Sequence, residues 1–593
     1  MNAETRLALP RPELRAKTAT MRRVPAFLLL GFTSALLCGC ASVSTDGAKS
    51  VQNTLDGDGE ASSYGQYLAG QAAVNHSDSA SAEAYFAKAA GMDQEDRSLL
   101  TTRAFTSALL AGDITEAAVL APTDPDADSG LRHLGALVRA VEDLSTGKPK
   151  LAHAILLSPD ASAGNEPAAA LLTPFAAAAA GSAEASIDHP VIVGEPVAQF
   201  FANLDQGKLF ERARRYDEAE TAFRALIAKG DPGGIASLSL GEMLERRGRD
   251  AEAVAIYDTA LGAKKDSEEL TAARARAAAH KPPPPTAPLR SIAAEAMIAP
   301  ATALLAEKQE EIALAYLRMA LRLDPGRNEA WLLVGDILDG NGDAPGARAA
   351  YAKVNSGASQ YAAARIKLAW SYQEAGDKDA ALAAARETVA QRPTDQDAQV
   401  TLADLLRADE RYDESAKVLD GLIGPNGEAA DWKLLYMRAV DFEESDRWAD
   451  AERDLQIALK KRPDEAELLN FLGYSWIDRG VRLPEAMAMV QKAVDLQPQS
   501  GAMIDSLGWG YYRMGNYASA VDQLEKAIVL EPGDPDVNNH LGDAYWKAGR
   551  KVEAQFQWRR VLTLDPTPKL KAEVEAKLAQ GLDHPIAPVV ASK

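Results

Sequence analysis

The chain is predicted to be an all-α solenoid, a stack of helical hairpins, and three observations carry that prediction. Prolines recur at Pro325, Pro393, Pro463, Pro498, Pro532 and Pro566, with gaps of 68, 70, 35, 34 and 34 residues, so one or two periods of 34 separate neighbours. Alanine is abundant and aromatics are only 6%, a composition suited to helices that pack closely on small residues. No sustained alternation of β-branched and polar residues marks a strand.

In chain order, residues 1–40 form a signal region. Met21-Arg22-Arg23 leads into an apolar run from Val24 to Leu37, followed by Cys38-Gly39-Cys40. That is the charged, apolar and cleavage-site order of a secretory signal, and the run is short for a membrane span. Met1–Thr20 does not belong to a compact signal, which makes Met21 an alternative start. Leu37-Cys38-Gly39-Cys40 resembles the lipobox of bacterial lipoproteins, with Cys38 at a tolerant position. The resemblance implies diacylglycerol on the Cys40 sulfur, cleavage before it and acylation of the new amine. Several acyl chains give stable anchoring, each buried CH₂ adding about 0.8 kcal/mol. Ala41 is not the aspartate that retains such proteins in the inner membrane, so the outer membrane is expected, with the body facing the periplasm. An uncleaved anchor or an ordinary secretory signal is the alternative. Residues 41–60, rich in Ser, Gly, Asp and Thr, read as a flexible, disordered tether.

Residues 61–280 read as an N-terminal arm of degenerate hairpins. Gly70 with Ala82 and Phe86, Gly207 with Ala219 and Phe223, and Gly241 with Ala253 and Tyr257 share one frame, which fades between about 120 and 200. Residues 281–288, with Lys281-Pro282-Pro283-Pro284-Pro285, read as a semi-rigid linker. Residues 289–570 form a more regular C-terminal arm. It contains Leu472-Gly473 with Ala486, Leu507-Gly508-x₂-Tyr511 with Ala520 and Pro532, and Leu541-Gly542-x₂-Tyr545 with Ala554, Trp558 and Pro566. Weaker units end near Gly427 and Pro463. Residues 571–593 read as the end of a capping helix and a loose tail. The frame resembles the tetratricopeptide (TPR) repeat, W-x₂-L-G-x₂-Y then A-x₃-F then P. The glycine lets the two helices of a hairpin touch, the aromatic is expected to fill the gap to the next repeat, and the proline ends the second helix. The resemblance implies a right-handed superhelix.

Composition excludes several function classes. The net charge is −21 and no basic stripe stands out, which argues against nucleic-acid binding. The only two cysteines are Cys38 and Cys40, so no zinc spacing exists. The seven histidines are scattered, and a lone helical histidine reads as surface or packing. Nucleotide-binding and hydrolase motifs are absent, so the expectation is a protein that is no enzyme and carries no cofactor or metal.

In TPR proteins the first helix of each repeat lines a concave groove. Carried over by position, that resemblance places Asn470, Tyr474, Asp478, Asp505, Trp509, Tyr512, Arg513, Asp536, Asn539, Asp543, Trp546 and Lys547 on the groove. Aromatic anchors amid hydrogen-bonding groups suit protein binding. The alternative is that Trp509 and Trp546 pack between helices. Gly473–Asp478, Ser506–Tyr517 and His540–Gly549 also resemble segments of bacterial outer-membrane repeat lipoproteins. Some of those serve as adaptors that bring substrates to periplasmic carboxyl-terminal processing proteases. The implied partners are such a protease and its substrates. The alternative is a structural subunit of an envelope export or assembly machine for polysaccharide or outer-membrane protein.

Overall fold

A computed structural model describes residues 62–582, apart from residues 126, 164, 183–185, 188–191, 193, 264–266 and 426. Cys40, the signal region, the tether at residues 41–60 and residues 583–593 lie outside the described residues. Among the described residues there are helices and no strand. The helices are α1 (Ser63–Asn75), α2 (Ser79–Met92), α3 (Arg97–Ala111), α4 (Ile114–Leu120), α5 (Ser129–Ser145), α6 (Pro149–Leu156), α7 (Pro159–Ser162) and α8 (Glu166–Ala179). Next come α9 (Pro196–Arg212), α10 (Tyr216–Lys229), α11 (Ile235–Arg246), α12 (Asp250–Ala263), α13 (Glu268–Ala278), α14 (Leu289–Ala306), α15 (Glu310–Leu323), α16 (Asn328–Gly340) and α17 (Ala344–Tyr351). Then follow α18 (Tyr361–Glu374), α19 (Lys378–Gln391), α20 (Gln396–Ala408), α21 (Tyr412–Ile423), α22 (Trp432–Glu444), α23 (Trp448–Lys461), α24 (Ala466–Arg479) and α25 (Leu483–Leu496). The last five are α26 (Gly501–Arg513), α27 (Tyr517–Leu530), α28 (Pro535–Lys547), α29 (Lys551–Val561) and α30 (Pro568–Gln580).

The hairpins close by matching a small residue against a large one. A Cβ built on Gly70 would come within 2.7 Å of the Phe86 ring, on Gly207 within 2.5 Å of Phe223, and on Gly241 within 2.3 Å of Tyr257. The same holds for Gly335 under Tyr351 at 2.3 Å and Gly542 under Trp558 at 2.5 Å. Each aromatic therefore seats on the glycine of its own hairpin, a contact that the expected filling of the gap to the next repeat did not include. The missing side chain is what lets a fully buried ring lie flat against the first helix. Where the small residue is Ala369, its partner position holds Ala385, so both sides of that contact are small. Capping is local: Asp343, Asp377 and Asn516 accept hydrogen bonds from backbone N–H groups in the first turns of α17, α19 and α27.

From α16 onward each hairpin packs on its neighbours in chain order. Between α3 and α15 the order breaks. α14 packs on α8 and α9 as well as α15, while α15 also packs on α3, α4 and α5. One hydrophobic core runs from Phe105 through Phe175 and Leu209 to Met297, Leu317 and Tyr351. Residues of both predicted arms, 61–280 and 289–570, contribute to this core across the linker at 281–288. Polar bonds cross the same boundary: Tyr316 Oη donates to Asn165 Oδ1 at 2.9 Å, Lys208 pairs with Glu295 at 2.8 Å, and Arg322 grips Glu142 at 2.7 and 2.9 Å. The proline-rich linker is pinned as well, with Arg212 donating to Ala287 O and Arg246 to Pro284 O.

This enclosure explains the composition of α14. Its mean hydropathy of 1.3 over 18 residues would let it cross a membrane by length and apolarity, yet half of it is buried inside the fold. Ile292, Ala293, Ala296, Met297 and Ala301 are closed off by the helices around it.

Candidate binding groove

The first helices of successive hairpins approach each other directly: α18 with α20, α24 with α26, and α26 with α28. The second helices of those hairpins do not approach as closely, so the first helices form the inner, crowded side of the stack. Along that side the positions equivalent to Asn470 carry Leu332, Ile366, Val400 and Tyr436, all half-buried. At this one position the inner side is apolar from α16 to α20, aromatic in α22 and polar in α24, α26 and α28.

Tyr436 meets Phe471 edge-on, with centroids 5.6 Å apart. Tyr474 follows one turn on. Burial first, then the carboxylates of Asp505, Asp478 and Asp536, push its phenol well above the ordinary tyrosine range, so it stays neutral. Trp509 is half-buried and stacks on Tyr512 at 4.7 Å. Arg513 reaches back one repeat and donates to Asp478 O at 2.5 Å and its carboxylate at 3.4 Å. Two side-chain atoms here are buried and have no protein hydrogen-bond partner: Asn470 Oδ1 and Trp509 Nε1.

The final hairpin departs from the sequence expectation. Lys577 of α30, 2% exposed, donates to Asn539 Oδ1 at 2.9 Å and to Asp543 Oδ2 at 2.8 Å. Trp558 Nε1 donates to the other Asp543 oxygen at 2.9 Å. Burial pushes the Asp543 carboxyl up, against the pull of Lys577. Trp546 packs on Trp558 at 5.3 Å, and Gly581 lies directly against its ring. Lys547 donates to Leu582 O at 3.5 Å. Asn539, Asp543 and Trp546 are therefore occupied by the chain's own C-terminal segment. The physical reason is that the last inner helix has no following repeat, and α30 supplies a substitute. Of the remaining candidates, Asp478, Asp536 and Lys547 are exposed, Asn470, Tyr474, Trp509, Tyr512 and Arg513 are half-buried, and Asp505 is buried.

Two residues were not singled out by sequence reasoning. His540 Nδ1 lies 2.8 Å from Asp505 Oδ2 and its ring stacks on Trp509. Lys577 was read as part of a polar cap. The only sequence trace of either is spacing: each stands about one repeat length from its carboxylate.

An array of helical hairpins with an aromatic inner face defines a protein-interaction scaffold. Tetratricopeptide-repeat family models match residues 204–268, 300–362, 366–431 and 436–501, and a TPR-repeat model matches residues 510–549. The chain is a TPR protein, a family of typically non-catalytic interaction scaffolds. It is 41% identical over 90 residues to TPR repeat-containing protein PA4667 of Pseudomonas aeruginosa. That match spans 15% of this chain and 15% of the relative. Among solved structures, a tetratricopeptide repeat protein from Parabacteroides merdae is similar over 42% of this chain and 98% of its own, at 14% identity and a TM-score of 0.38. The APC/C hetero-tetramer Cut9–Hcn1 is similar over 84% of this chain and 98% of its own, at 15% identity and a TM-score of 0.35.

Proposed function

We propose that this protein is a lipid-anchored adaptor of the bacterial outer membrane. Cys40 carries the anchor, the repeat body faces the periplasm, and the inner groove holds polypeptide segments of substrates destined for a carboxyl-terminal processing protease. The observation that carries the groove part is two buried, unpartnered atoms on adjacent inner helices: Asn470 Oδ1 is an acceptor and Trp509 Nε1 a donor. A polypeptide main chain offers N–H and C=O groups that complement them, and pairing both atoms removes the cost of leaving them buried and unbonded. A groove that reads main chain in this way takes many sequences, as a substrate-presenting adaptor requires. The anchor and protease parts rest on the lipobox-like Leu37–Cys40 and on the likeness of Asn470–Val561 to outer-membrane repeat lipoproteins.

The test uses two variants. Trp509→Ala with Tyr474→Ala should weaken binding of protease substrates by about 2 kcal/mol or more, the usual scale of interface hot spots. Thermal melting is measured alongside; unchanged binding in a well-folded double variant removes the site from this part of the groove. Cys40→Ser should leave an unprocessed precursor and release the protein from the membrane fraction. Unchanged acylation and fractionation would refute the anchor.

A further inference from the structure

Trp509 is held from a second repeat. Its ring stacks on Tyr512 of the same helix with planes 10° apart, and on His540 of α28 at 4.2 Å with planes 17° apart. His540 is buried, and its Nδ1–H donates to Asp505 Oδ2 at 2.8 Å. Asp505 and Trp509 stand four residues apart on α26, so a single helix face grips the imidazole by its edge and by its ring. A protonated imidazole gains from both contacts, through the carboxylate charge and through the indole π-face. A neutral one keeps the stack and the Nδ1–H bond but loses the charge.

We propose that His540 and Asp505 are a positioning pair for the groove: the charged pair clamps the Trp509 indole in its binding orientation, and loss of the His540 proton loosens it, so that client binding weakens as pH rises. This rests on the groove reading above. The charged groups facing His540 are Asp505 from α26 and Asp536 and Asp543 from its own helix, with Lys577 of α30 bonded to Asp543. Burial, the largest single influence, disfavours the imidazolium; the three carboxylates, Asp505 foremost, outweigh it and leave the imidazole above its ordinary value. The sign follows. A raised histidine is fully clamped below the pKa it has in the unfolded chain, and the clamp is lost as pH climbs through the folded value.

The experiment is a fluorescence titration of the mature full-length chain from about pH 5 to 9, a range that spans histidine ionisation. The difference between wild type and Trp509→Phe isolates this indole from the other tryptophans. An imidazolium quenches a stacked indole, so Trp509 emission should rise through one step as pH increases. His540→Phe keeps a ring in the stack and should abolish the step, and Asp505→Asn should move it to lower pH. In parallel, reduced and carbamidomethylated lactalbumin serves as an unfolded-polypeptide probe. Its affinity should fall several-fold across the same step in wild type and be flat with pH in His540→Phe. His540→Gln gives a second proton-free variant if the phenylalanine does not fold. A wild type with no Trp509 step, or a step that survives both His540 variants, overturns the positioning pair. A normal step with pH-independent affinity overturns the gating. Failure of wild type to bind the probe at any pH overturns the groove reading and the gating with it, while the step still reports separately on the pair.

Discussion

The hairpins α28/α29 and α22/α23 share a backbone plan and are held together by different chemistry. In α28/α29, Leu541 and Gly542 face Ala554 and Trp558, and the glycine exists to admit the indole. In α22/α23 the equivalent of Leu541 is Arg438. Its Nε donates to Asp454 at 2.7 Å, with a second bond at 3.0 Å and a third to Asp420 at 2.7 Å, and Asp454 is fully buried. Ala439 and Leu455 take the places of Gly542 and Trp558, smaller partner for larger. The turns differ in the same sense. Gly549 adopts φ 83° at no steric penalty, whereas Asp446 adopts φ 58° at the equivalent position. A repeat frame can therefore be satisfied by a small–large apolar pair or by a buried ion pair, and only the first leaves the familiar motif in the sequence.

That contrast can be broken by substitution. Trp558→Ala should have the largest effect, about 3–5 kcal/mol of lost local stability, because the ring leaves a cavity over Gly542 that the backbone cannot close. Faster hydrogen exchange confined to α28–α30 is the expected signature, and a change spread over the whole chain would contradict nearest-neighbour coupling. Asp454→Ala should cost about 3 kcal/mol by leaving the buried Arg438 only its bond to the exposed Asp420, while Arg438→Leu with Asp454→Leu should be neutral or stabilising by about 1–4 kcal/mol. Thermal melts of the single and double variants separate the two. A double variant no better than the single one would mean that the arginine is needed for something besides charge balance.

The smallest expected effect lies where the chain order breaks. Asp205 of α9 is buried with neither carboxylate oxygen hydrogen-bonded, and Lys208 Nζ is 3.8 Å away. Burial foremost pushes its carboxyl up to about 8; Lys208 and Arg327 oppose this, and Glu295 adds to it. A raised acid keeps its proton in the folded chain after the unfolded chain has lost it, so its contribution to stability falls as pH rises from about 4 to 8. The amide avoids the buried charge but finds no hydrogen-bond partner there either, so Asp205→Asn should stabilise the fold modestly at pH 8, with the gain shrinking towards pH 4. Melting temperatures at the two pH values check this, and a gain that grows on acidification would reverse the assignment.

Much of the molecule was legible in the sequence because its contacts recur. The period of 34, the prolines that end second helices and the pairing of Gly207 with Phe223 or Gly542 with Trp558 are nearest-neighbour features, repeated at constant spacing and so visible as pattern. The same frame put Asn470, Tyr474, Trp509 and Tyr512 on the inner helices. The tertiary structure alone decided which of the predicted groove residues remain accessible, since Lys577 enters between Asn539 and Asp543 through a helix whose sequence reads as polar surface. It also decided that α14 is a core helix, and that Tyr316 meets Asn165 and Arg322 meets Glu142, partners 151 and 180 residues apart. Such contacts occur once and have no period. Whether a buried arginine, lysine or histidine is tolerable depends on the carboxylate that folding brings beside it, and a single sequence does not contain that distance.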